Sequence, residues 1–157
     1  MLSRERVQQL CKKSLESIPL GLKDEEWQNG IDFYKYMFTN HPDLRVYFKG
    51  AENYTAEDVQ KSERFKKQGT RILLAQFICA NTYSDPVAFE AFARETTDRH
   101  RIYKMDPALW HAFWTVFVNY LCTKTTVDEE TKQAWAQLGK DFGDECLAHL
   151  KRTGRAY

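Results

Sequence analysis

The chain is predicted to be all-α, on three observations. Apolar residues recur at intervals of three and four along nearly every segment, the period of an amphipathic helix. Prolines and N-capping residues fall between those segments, where helices begin and end. No stretch alternates apolar and polar residues as a half-buried strand does, and there is no internal repeat or low-complexity tract.

The elements follow in order. Residues 4–18 place Val7, Leu10, Cys11, Leu15 and Ile18 on one face, and Pro19, Gly21 and Asp24 break the pattern. A second helix starts near Asp24, aligns Trp27, Ile31, Tyr34 and Phe38, and stops at Asn40-His41-Pro42, because proline disfavours helix in the residue before it. Pro42 opens a short helical turn leading to Tyr47 and Phe48, and residues 49–55 read as a polar loop. A long helix carries Phe65, Gln68, Gly69, Ile72, Ala75 and Cys79 on its inner stripe. Asp85-Pro86 is a helix start, with aspartate as N-cap and proline in the first turn. That helix runs to about His100, with Phe89, Phe92, Ala93 and Thr96 on its side. Asp106-Pro107 repeats the start signal before Leu109, Phe113, Trp114, Phe117 and Leu121. Thr126 and Glu129 form a capping box for the last helix, whose stripe is Ala134, Trp135, Leu138, Phe142, Cys146 and Leu147.

At 157 residues the length prior gives one domain spanning 1–157, with a core over about 3–150 and a short polar tail, 151–157. The net charge of +1 selects neither a nucleic acid nor an anionic membrane as partner. No segment approaches the ~20 apolar residues of a membrane span, and residues 1–13 hold no signal-like apolar run. A cytoplasmic location is expected. Cys11, Cys79, Cys122 and Cys146 lie on or beside apolar stripes without CxxC spacing, so four buried free thiols are expected.

Three polar residues on inward stripes, Tyr34, Gln68 and His100, need an internal partner, since a buried polar group is costly unless satisfied. A haem iron carrying a diatomic gas fits all three. Tyr34, Phe48, Gln68 and His100 are separated by 14, 20 and 32 residues, and Pro42 lies six residues before Phe48. This pattern resembles the globins over roughly residues 3–150, and the Tyr34/Gln68 combination looks like the nematode branch. Gly30 and Gly69 sit mid-helix, where glycine costs roughly 1 kcal/mol relative to alanine. The resemblance implies that the two helices cross closely at this pair.

The resemblance also implies seven to eight helices sandwiching one haem b. His100 is then the proximal iron ligand, oriented through the Thr96 carbonyl or, as a second candidate, the Thr97 hydroxyl. Phe48 wedges against the porphyrin, and Ile72, one turn beyond Gln68, crowds the ligand space. The Tyr34 hydroxyl and Gln68 amide are donors to dioxygen, which gathers negative charge on binding. Each such bond is worth roughly 1.5–3 kcal/mol. For the propionates Arg71 is the first choice, ahead of Lys67, Arg99, Arg101, Lys104 and Tyr103. The expected function is high-affinity, reversible oxygen binding for storage or transport by a monomer or homodimer, with CO and NO as further ligands. No reductase or output segment is seen, so storage or transport is favoured over an enzyme or sensor, with a secondary nitric oxide dioxygenase or peroxidase-like activity as the enzymatic alternative. Oxygen or redox sensing and nitric oxide dioxygenation use the same pocket. A haem-free helical interaction module is the reading from a different class.

Overall fold

The computed structural model describes residues 1–157 as seven α-helices and three 3₁₀ helices, with no strand. The order is α1 (Arg4–Ser14), a 3₁₀ helix (Leu15–Ser17), α2 (Asp24–Asn40), a 3₁₀ helix (Pro42–Tyr47), α3 (Ala56–Gln60), α4 (Glu63–Thr82), α5 (Pro86–Arg99), a 3₁₀ helix (Arg101–Tyr103), α6 (Leu109–Leu121) and α7 (Glu129–Arg152). The all-α expectation holds. The contacts group the chain into two compact units, residues 15–77 and residues 1–14 with 78–157.

In the unit 15–77, α2 starts where the Glu26 carboxylate accepts from the Lys23 N–H at 3.0 Å, filling one of the bonds a helix end lacks. It stops where the His41 N–H closes on Met37 ahead of Pro42. Residues 49–55 are the expected loop, but a short helix, α3, follows. Its signal is a capping box: Thr55 Oγ1 accepts from the Asp58 N–H at 3.2 Å, and Asp58 accepts from the Thr55 N–H at 2.9 Å. The helices α2 and α4 meet backbone to backbone. A Cβ on Gly30 would lie 2.3 Å from the carbonyl carbon of Gly69, and one on Gly69 would lie 2.4 Å from that of Gly30. No side chain fits there. Beside the crossing, Tyr34, Phe38, Phe48 and Phe65 pack as a ring cluster with centroids 5.1–6.2 Å apart, mostly edge to face.

The other unit is built on α7, against which α1, α5 and α6 all pack. Trp135 is fully buried, and its indole N–H donates to Ser14 Oγ at 2.9 Å. The Arg4 guanidinium lies 4.1 Å from the Tyr83 ring centroid and donates to the Tyr83 carbonyl at 2.7 Å.

Four expectations need correction. The α7 N-cap is Asp128, which accepts from the Thr131 N–H at 2.8 Å, and Thr126 takes no capping part; an aspartate two residues nearer the helix offers the better-placed acceptor. Asp106-Pro107 makes a turn rather than a helix start: Asp106 Oδ1 accepts from the Ala108 N–H at 3.0 Å, and α6 begins at Leu109. The stretch 4–18 divides at Ser14, whose hydroxyl donates to the Cys11 carbonyl at 2.7 Å, and continues as 3₁₀ turns. Cys122 is exposed just past α6, whereas Cys11, Cys79 and Cys146 are buried.

Gly30→Ala should therefore lower unfolding free energy by about 1–3 kcal/mol or more in urea titrations, the cost of overpacking a site that cannot relax around backbone atoms. Burial raises the Cys11 and Cys79 thiols well above their ordinary range and Cys146 to about 12. A thiol reagent should accordingly modify Cys122 quickly in the native protein, with the other three reacting only after denaturation. A native-state reaction of all four thiols at one rate would contradict this packing.

Candidate functional site

Within the unit 15–77, the crossing at Gly30 and Gly69 sets two of the expected donors. Tyr34 lies one turn after Gly30 and is 7 % exposed, its ring edge-on to Phe65, Phe48 and Phe33. Gln68 directly precedes Gly69. It is half-buried, yet its side-chain oxygen is fully buried with no hydrogen-bond partner. Rotation about the last side-chain bond exchanges that oxygen for the NH₂ group, so the position can present an acceptor or a donor. Phe48 and Ile72 are half-buried apolar residues, as is Ala75. Of the stripe read from sequence, Phe65, Gly69 and Cys79 are buried on α4 and Gln68, Ile72 and Ala75 half-buried, while Leu73, Gln76 and Ala80 beside them are buried as well. Gly69 is pinned to Gly30, and that contact fixes which face turns inward.

Gln76 was not anticipated. It is 3 % exposed; its NH₂ donates to the Ile72 carbonyl at 3.1 Å and its oxygen has no partner. Its spacing of four from Ile72 and eight from Gln68 was the available signal. Arg71 and Lys67 are both exposed.

In the other unit, α5 ends where the His100 N–H donates to the carbonyls of Thr96 and Thr97, at 3.2 and 3.1 Å. The His100 side chain turns back on the same helix, with Nδ1 2.8 Å from the Thr96 carbonyl oxygen. A carbonyl only accepts, so Nδ1 carries the proton and Nε2 keeps a lone pair. Burial is the main cause that lowers the His100 pKa; the Thr96 carbonyl opposes it and Arg99 adds to it. The imidazole is held edge to face by Trp110 and Tyr103, with centroids at 5.2 and 5.8 Å. The Thr97 hydroxyl is not an orienting group, because Nδ1 is already on the Thr96 carbonyl; that hydroxyl donates to the Ala93 carbonyl at 2.8 Å, as a buried helical threonine does. Thr96 is buried, and its hydroxyl donates to the Phe92 carbonyl at 2.7 Å. Arg99 is exposed beside Glu95 at 3.6 Å, and Tyr103 is 46 % exposed.

The remaining histidines are engaged elsewhere. His41 lies against Tyr36, His111 Nε2 is 2.8 Å from Asp144, and His149 Nε2 is 2.9 Å from Asp98. No cluster of His, Cys, Asp and Glu has the makings of a metal site formed by side chains alone.

A protein-family model described as "Globin" matches residues 31–146. A "Globin-like protein" of Caenorhabditis briggsae is 55 % identical, over 99 % of this chain and 98 % of its own length. A "Myoglobin" of Ascaris suum is 50 % identical over 94 % of this chain and 97 % of its own. A high-resolution structure of a Caenorhabditis elegans globin-like protein superposes with a TM-score of 0.98 at 53 % identity, covering 99 % of this chain and 98 % of that one.

The depressed His100 pKa has a sign that can be measured in the apoprotein. The unfolded imidazole, with its ordinary value near 6.5, takes up a proton before the folded one does. Stability present above that value is therefore lost as pH falls from it through the folded value. Urea midpoints should drop on acidification in this window, and the drop should shrink in His100→Gln.

Proposed function

The chain belongs to the globin family, and from that premise we propose that His100 ligates the haem iron while Tyr34 and Gln68 hold dioxygen for long residence. The fold is the all-helical globin fold, the cofactor is haem b, and the protein binds oxygen through it. Haem iron supplies an open coordination position at which a diatomic gas binds.

The chain's residues fit that group. His100 Nδ1 is committed to the Thr96 carbonyl, which leaves Nε2 as the ligating atom and fixes the ring's tautomer. Neutral imidazole is the ligating form, and burial keeps His100 neutral at physiological pH. Phe48, Ile72 and Ala75 are apolar and half-buried, as residues covered by a flat apolar cofactor are. The observation that carries the high-affinity reading is the Gln68 side-chain oxygen, buried without a protein partner at a place where the flipped amide presents its NH₂ donor. An unsatisfied buried amide group costs about 1–3 kcal/mol, and with the NH₂ turned to that place a gas ligand with negative charge on its outer atom would accept from it and remove the cost. The Tyr34 hydroxyl, on the helix pinned beside Gln68, is the second donor. Both bonds form to a ligand already in place, so they act on release. Arg71 is the first candidate for a propionate partner; Lys67 and Tyr103 are others, and Arg99 has Glu95 as a competing neighbour.

Slow release suits storage or transport of oxygen over catalysis, with carbon monoxide and nitric oxide as competing ligands. The chain acts as one globin domain, 1–157, in the cytoplasm as a monomer or homodimer. No helix is long and apolar enough to cross a membrane.

Tyr34→Phe keeps the ring and removes the hydroxyl. It should raise the oxygen dissociation rate by about one to three orders of magnitude, and Gln68→Leu should do so to a smaller degree. Carbon monoxide, with far less charge on its outer atom, should respond little. Equal effects on both gases would indicate steric gating and overturn the hydrogen-bond reading. His100→Ala should lose haem or hold it only with added imidazole, and the parent ferrous protein without gas should be five-coordinate by its visible spectrum.

A further inference from the structure

Two charge networks run along the seam between α5 and α7, one helical turn apart. Arg94 and Asp98 are four residues apart on α5, and Glu145 and His149 are four apart on α7, so each pair lies on one face. In the first rung the acid is on α7: Glu145 accepts from Arg94 at 3.2 Å and from Arg152. In the second the acid is on α5: Asp98 Oδ1 accepts from His149 Nε2 at 2.9 Å and from Arg155 Nη2 at 2.6 Å. The side chains of Glu145, His149 and Arg155 are only 16 %, 15 % and 12 % exposed. Their partners are more open, Arg94 at 37 %, Asp98 at 51 % and Arg152 at 54 %, so each rung is sheltered on one side and solvated on the other.

Arg155 reaches Asp98 because of how α7 ends. Gly154 takes φ +66°, its N–H donates to the Lys151 carbonyl at 3.2 Å, and the Arg155 N–H donates to the Leu150 carbonyl at 2.9 Å. This is the Schellman arrangement, which folds the chain back over the helix just completed. Thr153 Oγ1, donating to the His149 carbonyl at 2.8 Å, accepts from Arg155 Nε at 3.1 Å and steadies the guanidinium. The residues read from sequence as a polar tail are thus engaged as far as Arg155. The second rung sits on the last turn of α5, two residues before His100.

We propose that this ladder, and Arg155 with Asp98 in particular, is a positioning device that holds the last turn of α5 and so orients His100 toward the iron. The proposal rests on His100 being the iron ligand. Asp98 and Arg155 do not touch the cofactor; they act through the helix end. Their removal loosens the turn whose Thr96 carbonyl aims the imidazole.

The test uses the haem-loaded protein with Asp98→Asn and Arg155→Gln. The control is Arg6→Gln, which breaks the exposed Arg6–Glu130 pair near the other end of α7. Two quantities are read: the rate of haem transfer to an excess of a haem-accepting apoprotein, and the iron–histidine stretching band of the ferrous protein. Both ladder variants should lose haem about tenfold faster and shift or broaden that band, with the control doing neither. Arg155→Gln decides alone if Asp98→Asn fails to fold. Haem loss and band both at the control's level would overturn the ladder. Faster loss with an unmoved band would assign it to stability only and also overturn it. A parent without any iron–histidine band would instead sink the ligation reading, and the positioning role with it.

Discussion

The contact between Gly30 and Gly69 is the constraint on which the site depends. Two helix backbones touch there with no room for a single Cβ, so the rotation and height of α4 against α2 are set by backbone atoms rather than by adaptable side chains. Tyr34 follows one glycine by a turn and Gln68 directly precedes the other. The contact therefore carries both proposed donors and sets the separation of the backbone segments that bear them. A site built on rigid elements in this way holds its polar groups more tightly than a loop could. The ring cluster of Tyr34, Phe38, Phe48 and Phe65 then fills the space beside the crossing and keeps the phenol from swinging away.

The imidazole side obeys a different rule. His100 ends its helix, and a helix end has carbonyls without intrahelical partners. The Thr96 carbonyl receives both the His100 backbone N–H and its Nδ1–H. One local motif thus terminates α5, selects the tautomer and frees Nε2. The α5–α7 seam backs this turn with charge.

What was legible in the sequence followed from periodicity and strong punctuation. The boundaries at Asn40 and Pro86 could be read because proline and aspartate act through the local backbone alone. The crossing glycines stood out because glycine inside a helix demands a reason. Weaker caps misled: Thr126 competed with Asp128, and only the folded helix shows which oxygen reaches an open N–H. Helix α3 was missed because five residues carry too little periodicity to register. The Arg155–Asp98 contact joins residues 57 apart and depends on a left-handed glycine, so no local pattern announces it. Gln76 was passed over because a glutamine on a helix is ordinarily solvated; its burial follows from the facing that Gly69 imposes.

The most direct test is the oxygen dissociation rate of haem-loaded Gly30→Ala, measured beside its carbon monoxide rate. A methyl at Gly30 must push α4 away, and with it Gln68 from Tyr34, while leaving both proposed donors chemically intact. Oxygen release should quicken by about tenfold or more, with carbon monoxide changed far less. An unchanged oxygen rate in a folded variant would show that the donors do not depend on the crossing and would contradict the account.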